Sequence, residues 1–325
     1  MISPALAHFL LPLILGTSVV LRLIRPRDVS EVYWIGGGVL LLLLLRLVPL
    51  QLAGRAVAKA LDVCLFLSGM MLLSELAREH GVFDWLASFA VRSARGSCSS
   101  LFVLVYAAGT IVTIFMSNDA TAVVLTPAIL TAVRKARVEP LPYLFVCAFI
   151  ANAASFLLPI SNPANLVVFH DQMPPLGRWL SSYGVPCFLS ILTTFMVMRW
   201  IFRKELFARI EHEVKASPLR SEGTLVLGGL AAMVVVLLTA SSLGKDLGLP
   251  TCLAALAITA VASIRTRKNP LGLAREVRWA TLALVAGLFV MVDAMESVGA
   301  MRQTKEWLNW AQMLGSMLDL PLSRK

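Results

Sequence analysis

The chain has 325 residues, of which 58% are hydrophobic and 15% charged, with a mean hydropathy of +0.79. A water-soluble domain carries roughly 25% charged residues, so this composition excludes one and marks an integral membrane protein. The formal net charge of +10 collects in loops beside apolar runs, the positive-inside pattern of membrane proteins and not a nucleic-acid-binding surface.

Apolar runs occupy 8–24, 33–50, 61–77, 99–116, 120–133, 141–170, 183–198, 224–243, 251–264 and 279–298. About 20 residues of helix cross the ~30 Å hydrocarbon layer, so these runs are predicted helices, the shorter ones candidates for re-entrant or broken elements. No basic segment precedes the first run, and Arg22, Arg25 and Arg27 follow it. It therefore reads as a retained helix with an outward N-terminus and not as a cleaved signal. Alternating loop assignment places twenty of the 29 Lys and Arg residues inside, provided that 99–133 enters and leaves on the cytoplasmic side as a hairpin. Its tip is then Ser117, Asn118 and Asp119. The charged stretch 207–216 reads as solvated cytoplasmic surface. Cys64, Cys98, Cys147, Cys187 and Cys252 show no metal or redox spacing and read as small fillers at helix interfaces.

Nothing else between Gly96 and Ala132 is charged, so an aspartate at the centre of this stretch is costly. Insertion scales put that cost at ~2.5–3.5 kcal/mol, which makes Asp119 a functional candidate. The alternative is that it caps the second leg of the hairpin. Pro127 denies the carbonyl of Val123 its helical partner, and a turn at membrane depth is tolerated only against protein or a wet cavity.

A second break is predicted in the run 141–170. Pro159 frees the carbonyl of Ser155 and Pro163 that of Pro159. Ser161, Asn162 and Asn165 sit at this break, where half-helix ends would aim dipoles and side-chain amides into one cavity. Asn152 is assigned an interhelical hydrogen bond, Asp62 and Glu79 an interfacial position, and His170 a solvated interface. Glu75 is a candidate for ion coupling. No zinc, phosphate-loop or nucleophile-elbow motif occurs, so the sequence points away from an enzyme and calls for no cofactor or metal.

Residues 61–82 align with 279–300 at a constant offset of 218, matching Gly69 to Gly287, Glu75 to Asp293 and Gly81 to Gly299. The charge count runs the two copies through the membrane in opposite directions, the arrangement of inverted-repeat secondary transporters. The expected fold is therefore all-α, with a re-entrant hairpin (99–133) and a discontinuous helix (141–170). Residues 1–198 hold the N-terminal helices and first repeat, 199–223 a cytoplasmic linker, and 224–325 the start of the second repeat. At the same offset the second tip and break fall at about 336 and about 380, so the second repeat is expected to be incomplete.

The segments "MSNDATAVVLTPAIL" and "PYLFVCAFIANAASFLLPISNPANLVVF", with "LDVCLFLSGMMLLSELAREHGVFDWLA", resemble the arsenite and antimonite efflux permeases of the ArsB type, within the ion transporter superfamily. The resemblance runs from about residue 8 to 300. It implies export of arsenite or antimonite against proton influx across the bacterial plasma (inner) membrane. An arsenical ATPase subunit and a second copy of the chain are candidate partners beside the bilayer itself, and nucleic acid is not. Carried over, the substrate-binding residues are Ser117, Asn118, Thr121, Ser161, Asn162 and Asn165, with Asp119 and Glu75 for proton coupling.

The chemistry is coherent with that implication, because arsenous acid is neutral and its hydroxyls both donate and accept, as amides and hydroxyls do. A cationic clamp would add little, and thiolates would hold the cargo too tightly for release. Two readings stand beside this one: an anion or sodium-coupled carrier of the same superfamily, and a non-transporting membrane fragment or scaffold.

Overall fold

A computed structural model describes residues 4–169, 174–210, 219, 221–267, 271–297 and 310. Among these residues the protein is all-α, with no β-strand and one isolated antiparallel bridge between Ser97 and Arg209. In chain order the helices are α1 (Pro4–Ile24), α2 (Glu31–Leu44), α3 (Leu50–Glu79), α4 (Val82–Ser93) and α5 (Cys98–Phe115). A π-wound segment (Ala120–Leu125) leads into α6 (Thr126–Lys135) and then α7 (Leu141–Ala153), a 3-10 turn (Pro159–Ser161) and α8 (Pro163–Val168). After these come α9 (Leu176–Ile201), α10 (Arg203–Leu206), α11 (Ser221–Ser242), α12 (Gly248–Thr266), α13 (Leu271–Glu276) and α14 (Trp279–Ser297). Helices α3, α5, α9, α11, α12 and α14 are each long and apolar enough to cross a membrane. The protein is thus a multi-pass integral membrane protein. The expectations for His170, Gly299 and the stretch beyond Ser297, Trp310 apart, lie outside the described residues, as do those for most of 207–216.

Helix boundaries recur at the offset found in the sequence. Shifted by 218, α1 falls on 222–242, where α11 lies; α2 falls within α12; and residues 61–79 of α3 fall on α14. The correspondence therefore covers three helices, two more than the sequence alignment reached.

The chain divides into two compact units, Met1–Leu61 with Trp279–Lys325, and Asp62–Arg278. The reason for this division is packing. In the first unit α2 packs on α1 and on α14. There Gly287 admits the close approach, since a Cβ at that position would lie 2.8 Å from Ile35 Cγ2. In the second unit α11 packs on α12, and α12 meets α3 at Gly69, where a Cβ would lie 2.9 Å from the Thr251 carbonyl oxygen. Asp62 caps α12, its Oδ1 accepting from the Gly248 amide at 2.8 Å, so this acid has a partner inside the protein and is not merely interfacial. Each copy's third helix thus packs on the second helix of the other copy, and the glycines matched by the repeat mark both contacts.

The remaining second-unit helices frame the two breaks. Gly109 lets α7 approach α5, because a Cβ there would lie 2.8 Å from Ile150 Cγ2. Tyr106 donates to the Ile191 carbonyl at 2.5 Å and Tyr143 to the Cys98 carbonyl at 3.1 Å. The rings of Phe102, Tyr106 and Phe195 cluster between α5 and α9. Helix α4, which no apolar run announced, is amphipathic, buries Phe83, Ala87 and Val91, and packs on α5 and α6.

Candidate functional site: a hairpin tip, a broken helix and a small cavity

The hairpin turns where the chain leaves α5, and serine performs the capping. Ser117 Oγ accepts from the Ala120 amide at 3.2 Å, whereas Asp119 makes no cap bond. The capping alternative for Asp119 therefore belongs to Ser117 instead. The second leg starts with a widened turn because Pro127 cannot supply a standard rung. The Thr126 amide reaches back to the Thr121 carbonyl, and Thr126 Oγ1 donates to the same oxygen at 2.9 Å. Buried Thr113 and Thr121 join the two legs, hydroxyl to hydroxyl, at 2.8 Å.

The broken helix satisfies its own backbone, as burial at that place demands. Leu158 and Asn162, each preceding a proline, are extended at φ −119° and φ −148°, since proline crowds the helical conformation of its predecessor. Helix α7 ends earlier than the prolines alone implied, at Ala153, and the freed carbonyls find side chains. Asn165 Nδ2 donates to Ser155 O at 3.0 Å and to Leu158 O and Pro159 O at 3.4 Å each. Two of these are the very carbonyls that Pro159 and Pro163 release. Trp179 Nε1 donates to Phe156 O at 3.0 Å, and the Cys187 thiol to Ala153 O at 3.4 Å, so this cysteine does more than fill space.

The two breaks touch. Buried Ser161 donates to the Ile114 carbonyl at 2.8 Å and accepts from the Leu158 amide at 3.3 Å, which ties the 3-10 turn to the last turn of α5. Asn162 Oδ1 caps α8 through the Ala164 amide at 2.9 Å. Asn152 is exposed and bonds Ala148 O of its own helix at 3.1 Å, not a neighbouring helix as expected.

The cavity lies on the α3 side of the hairpin, away from the residues of the broken helix. Its volume is about 80 Å³, and its polar lining consists of Ser74 and Glu75 of α3, Ser117 and Asp119 of the tip, and Arg278, set in an apolar wall that includes Phe66, Met70 and Val123. Of the eight predicted site residues, the cavity gathers Ser117, Asp119 and Glu75. Asn118, Thr121, Ser161, Asn162 and Asn165 do not line it. Thr121, Ser161 and Asn165 are buried and engaged with backbone carbonyls. The Asn118 Oδ1 atom is buried and has no hydrogen-bond partner among the described residues.

Charge pairing within the cavity is uneven. Glu75 is matched by Arg78, whose Nε lies 3.0 and 2.9 Å from its two carboxylate oxygens. Asp119 has no hydrogen-bond or ion-pair partner among the described residues, and its electrostatic neighbour is Arg278. Arg278 and Ser74 are the polar residues that sequence reading missed. Arg278 counted there as one more cytoplasmic base, and nothing in its local pattern separates it from the others.

A family model described as a citrate transporter, CitMHS, matches residues 19–321, nearly the whole chain. The chain belongs to the CitMHS family. An uncharacterised transporter of Synechocystis is 24% identical over 274 residues, covering 81% of this chain and 60% of the relative. An arsenical pump membrane protein of Escherichia coli K12 is 25% identical over 266 residues, covering 76% and 61%. An uncharacterised transporter of Mycobacterium tuberculosis is 25% identical over 246 residues, covering 73% and 56%. The chain thus spans about three fifths of the length of these relatives. Membership of CitMHS makes it a membrane transporter family member within the ion transporter superfamily. The arsenical-pump resemblance is one distant branch of that kinship.

Proposed function

We propose that this chain forms the cargo-binding part of a secondary transporter for a small oxyacid, with arsenite or antimonite as cargo and protons as the coupling ion. The observation that carries the reading is the cavity, in which Ser117, Asp119, Ser74 and Glu75 present hydroxyls and carboxylates within about 80 Å³. Pockets for drug-sized ligands run to roughly 300–1,000 Å³, whereas this one admits several waters or a solute of a few heavy atoms. Arsenous acid fits that scale, and its hydroxyls complement the lining. Citrate, named in the family description, carries three carboxylates, and the lining offers one cation, Arg278.

Asp119 is the proposed proton carrier. Its carboxyl reaches the cavity without a fixed partner among the described residues, so its charge state is free to follow the cargo. Glu75, already held by Arg78, serves as the second acid of the wall. Thr121, Ser161 and Asn165 act by holding the tip and the break in place, and Asn118 by offering an open acceptor. The relatives' bacterial sources support placement in the bacterial inner membrane, where an arsenical ATPase subunit is an admissible partner.

Everted membrane vesicles containing this chain test the reading. Arsenite is expected to accumulate when a proton gradient is imposed, and Asp119→Asn is expected to abolish that accumulation while leaving the protein in the membrane. Gradient-driven accumulation that persists in Asp119→Asn refutes the proton-carrier role. A second reading, an anion or sodium-coupled carrier, is favoured by Arg278 at the cavity. Flux that requires sodium would select it.

A further inference from the structure

We propose that Arg278 is a cargo-binding residue that makes the cavity dipolar, so that an oxyacid bridges it and Asp119. This rests on the oxyacid reading above and names how that cargo is held.

Three observations lead there. First, Arg278 and Asp119 line the same cavity, yet neither forms a salt bridge with any described residue. A guanidinium and a carboxylate that share a void, interact through space and do not close on each other leave room between them for a third group. Second, Glu75, the other acid of the wall, is already compensated by Arg78 through both oxygens. The unspent charges at the cavity are therefore one negative and one positive. Third, Arg278 lies between α13 and α14 and is exposed, which puts it at the rim, where cargo must pass. The hydroxyls of Ser74 and Ser117 complete the polar lining and can either donate or accept.

This pair selects a chemistry. An oxyacid donates an O–H to the Asp119 carboxylate and presents an oxygen to the Arg278 guanidinium, both charge-assisted bonds. A bare cation would meet Arg278, and an apolar solute would leave both charges unsolvated. Charge balance then makes the cavity indifferent to the form in which the cargo arrives. With Asp119 ionised the cavity is neutral around a neutral acid. With Asp119 protonated it is neutral around a monoanion. In both cases the occupied cavity holds the cargo plus the same number of protons, and the exchanged proton is the one that Asp119 carries when the cavity is empty.

The test is exchange of labelled arsenite across proteoliposomes at equilibrium, with wild type, Arg278→Gln and Arg278→Lys. Inorganic phosphite and acetate serve as competitors of similar size, and citrate as a bulky one. Arg278→Gln is expected to raise the KM for arsenite about tenfold, the effect of one lost charge-assisted bond, with Vmax within about twofold. Arg278→Lys is expected to recover most of the loss, because the positive charge is kept although the planar donor fork is not. Competition by phosphite and acetate is expected to weaken in Arg278→Gln, and citrate to compete poorly throughout. An unchanged KM in Arg278→Gln overturns the proposal, as does equal impairment of the Gln and Lys variants, since charge would then not be the operative property. Should wild type exchange no arsenite, the oxyacid reading fails and takes this one with it. Should wild type exchange it and Arg278→Gln do so equally well, Arg278 alone is misassigned.

Discussion

Replacing Asn165 separates a structural role from a cargo-binding one. Its Nδ2 is the donor for three carbonyls freed in the broken helix, one at 3.0 Å and two at 3.4 Å, and the residue is 3% exposed. Asn165→Ala leaves the Ser155 carbonyl without its partner. A buried unsatisfied group costs ~1–3 kcal/mol, and the two longer contacts add little at that distance. Asn165→Asp is the sharper perturbation. It keeps the shape and exchanges a donor for an acceptor, so an oxygen faces three oxygens. Its cost is expected to exceed that of Ala by about 1 kcal/mol or more. Reversible unfolding of the cargo-free protein in mixed micelles measures both. If Asn165 served only to bind cargo, neither variant would alter cargo-free stability, and equal stability of wild type and Asn165→Asp would refute its role as donor to the broken helix.

Two further predictions follow from packing and charge. Gly69→Ala and Gly287→Ala each place a methyl within 3.0 Å of a neighbour, and both are expected to destabilise by ~1–3 kcal/mol. Gly36→Ala and Gly37→Ala, inside α2 with nothing within 4 Å, are expected to lose no stability in the same unfolding assay and to gain up to about 1 kcal/mol. Lys59 lies 3.2 Å from Asp293, whose side chain is 11% exposed. Lys59→Met alone is expected to cost about 1 kcal/mol, because the Lys59 side chain is 38% exposed and the pair is partly screened by solvent. The double variant with Asp293→Asn should recover most of that cost, and a double-mutant cycle that proves additive would show the pair to be uncoupled.

Both breaks could be read in the sequence because proline acts locally. Pro127, Pro159 and Pro163 each remove a specific donor, and the carbonyls they orphan can be named in advance. Which side chains would satisfy those carbonyls was less legible. Asn165, taken from the sequence as a binding residue, spends its amide on the carbonyls released beside it, whereas Trp179 and Cys187 come from a different helix. Ser117 and Asp119 were both noted at the tip, but capping was weighed for the acid, and it is the serine that caps. Helix α4 escaped notice because it is amphipathic and short, with no apolar run to mark it.

By itself the sequence determined the membrane class, the ten apolar segments, the hairpin, the broken helix and the repeat offset, because each rests on hydropathy, proline chemistry or spacing along the chain. Only the tertiary structure decided that the cavity opens toward α3 and away from the broken helix, that Arg278 and Asp119 share it, and that third helices are exchanged between the two copies. Those facts depend on which surfaces meet, through glycines that permit contact and charges more than a hundred and fifty residues apart. No local pattern encodes the distance between such groups.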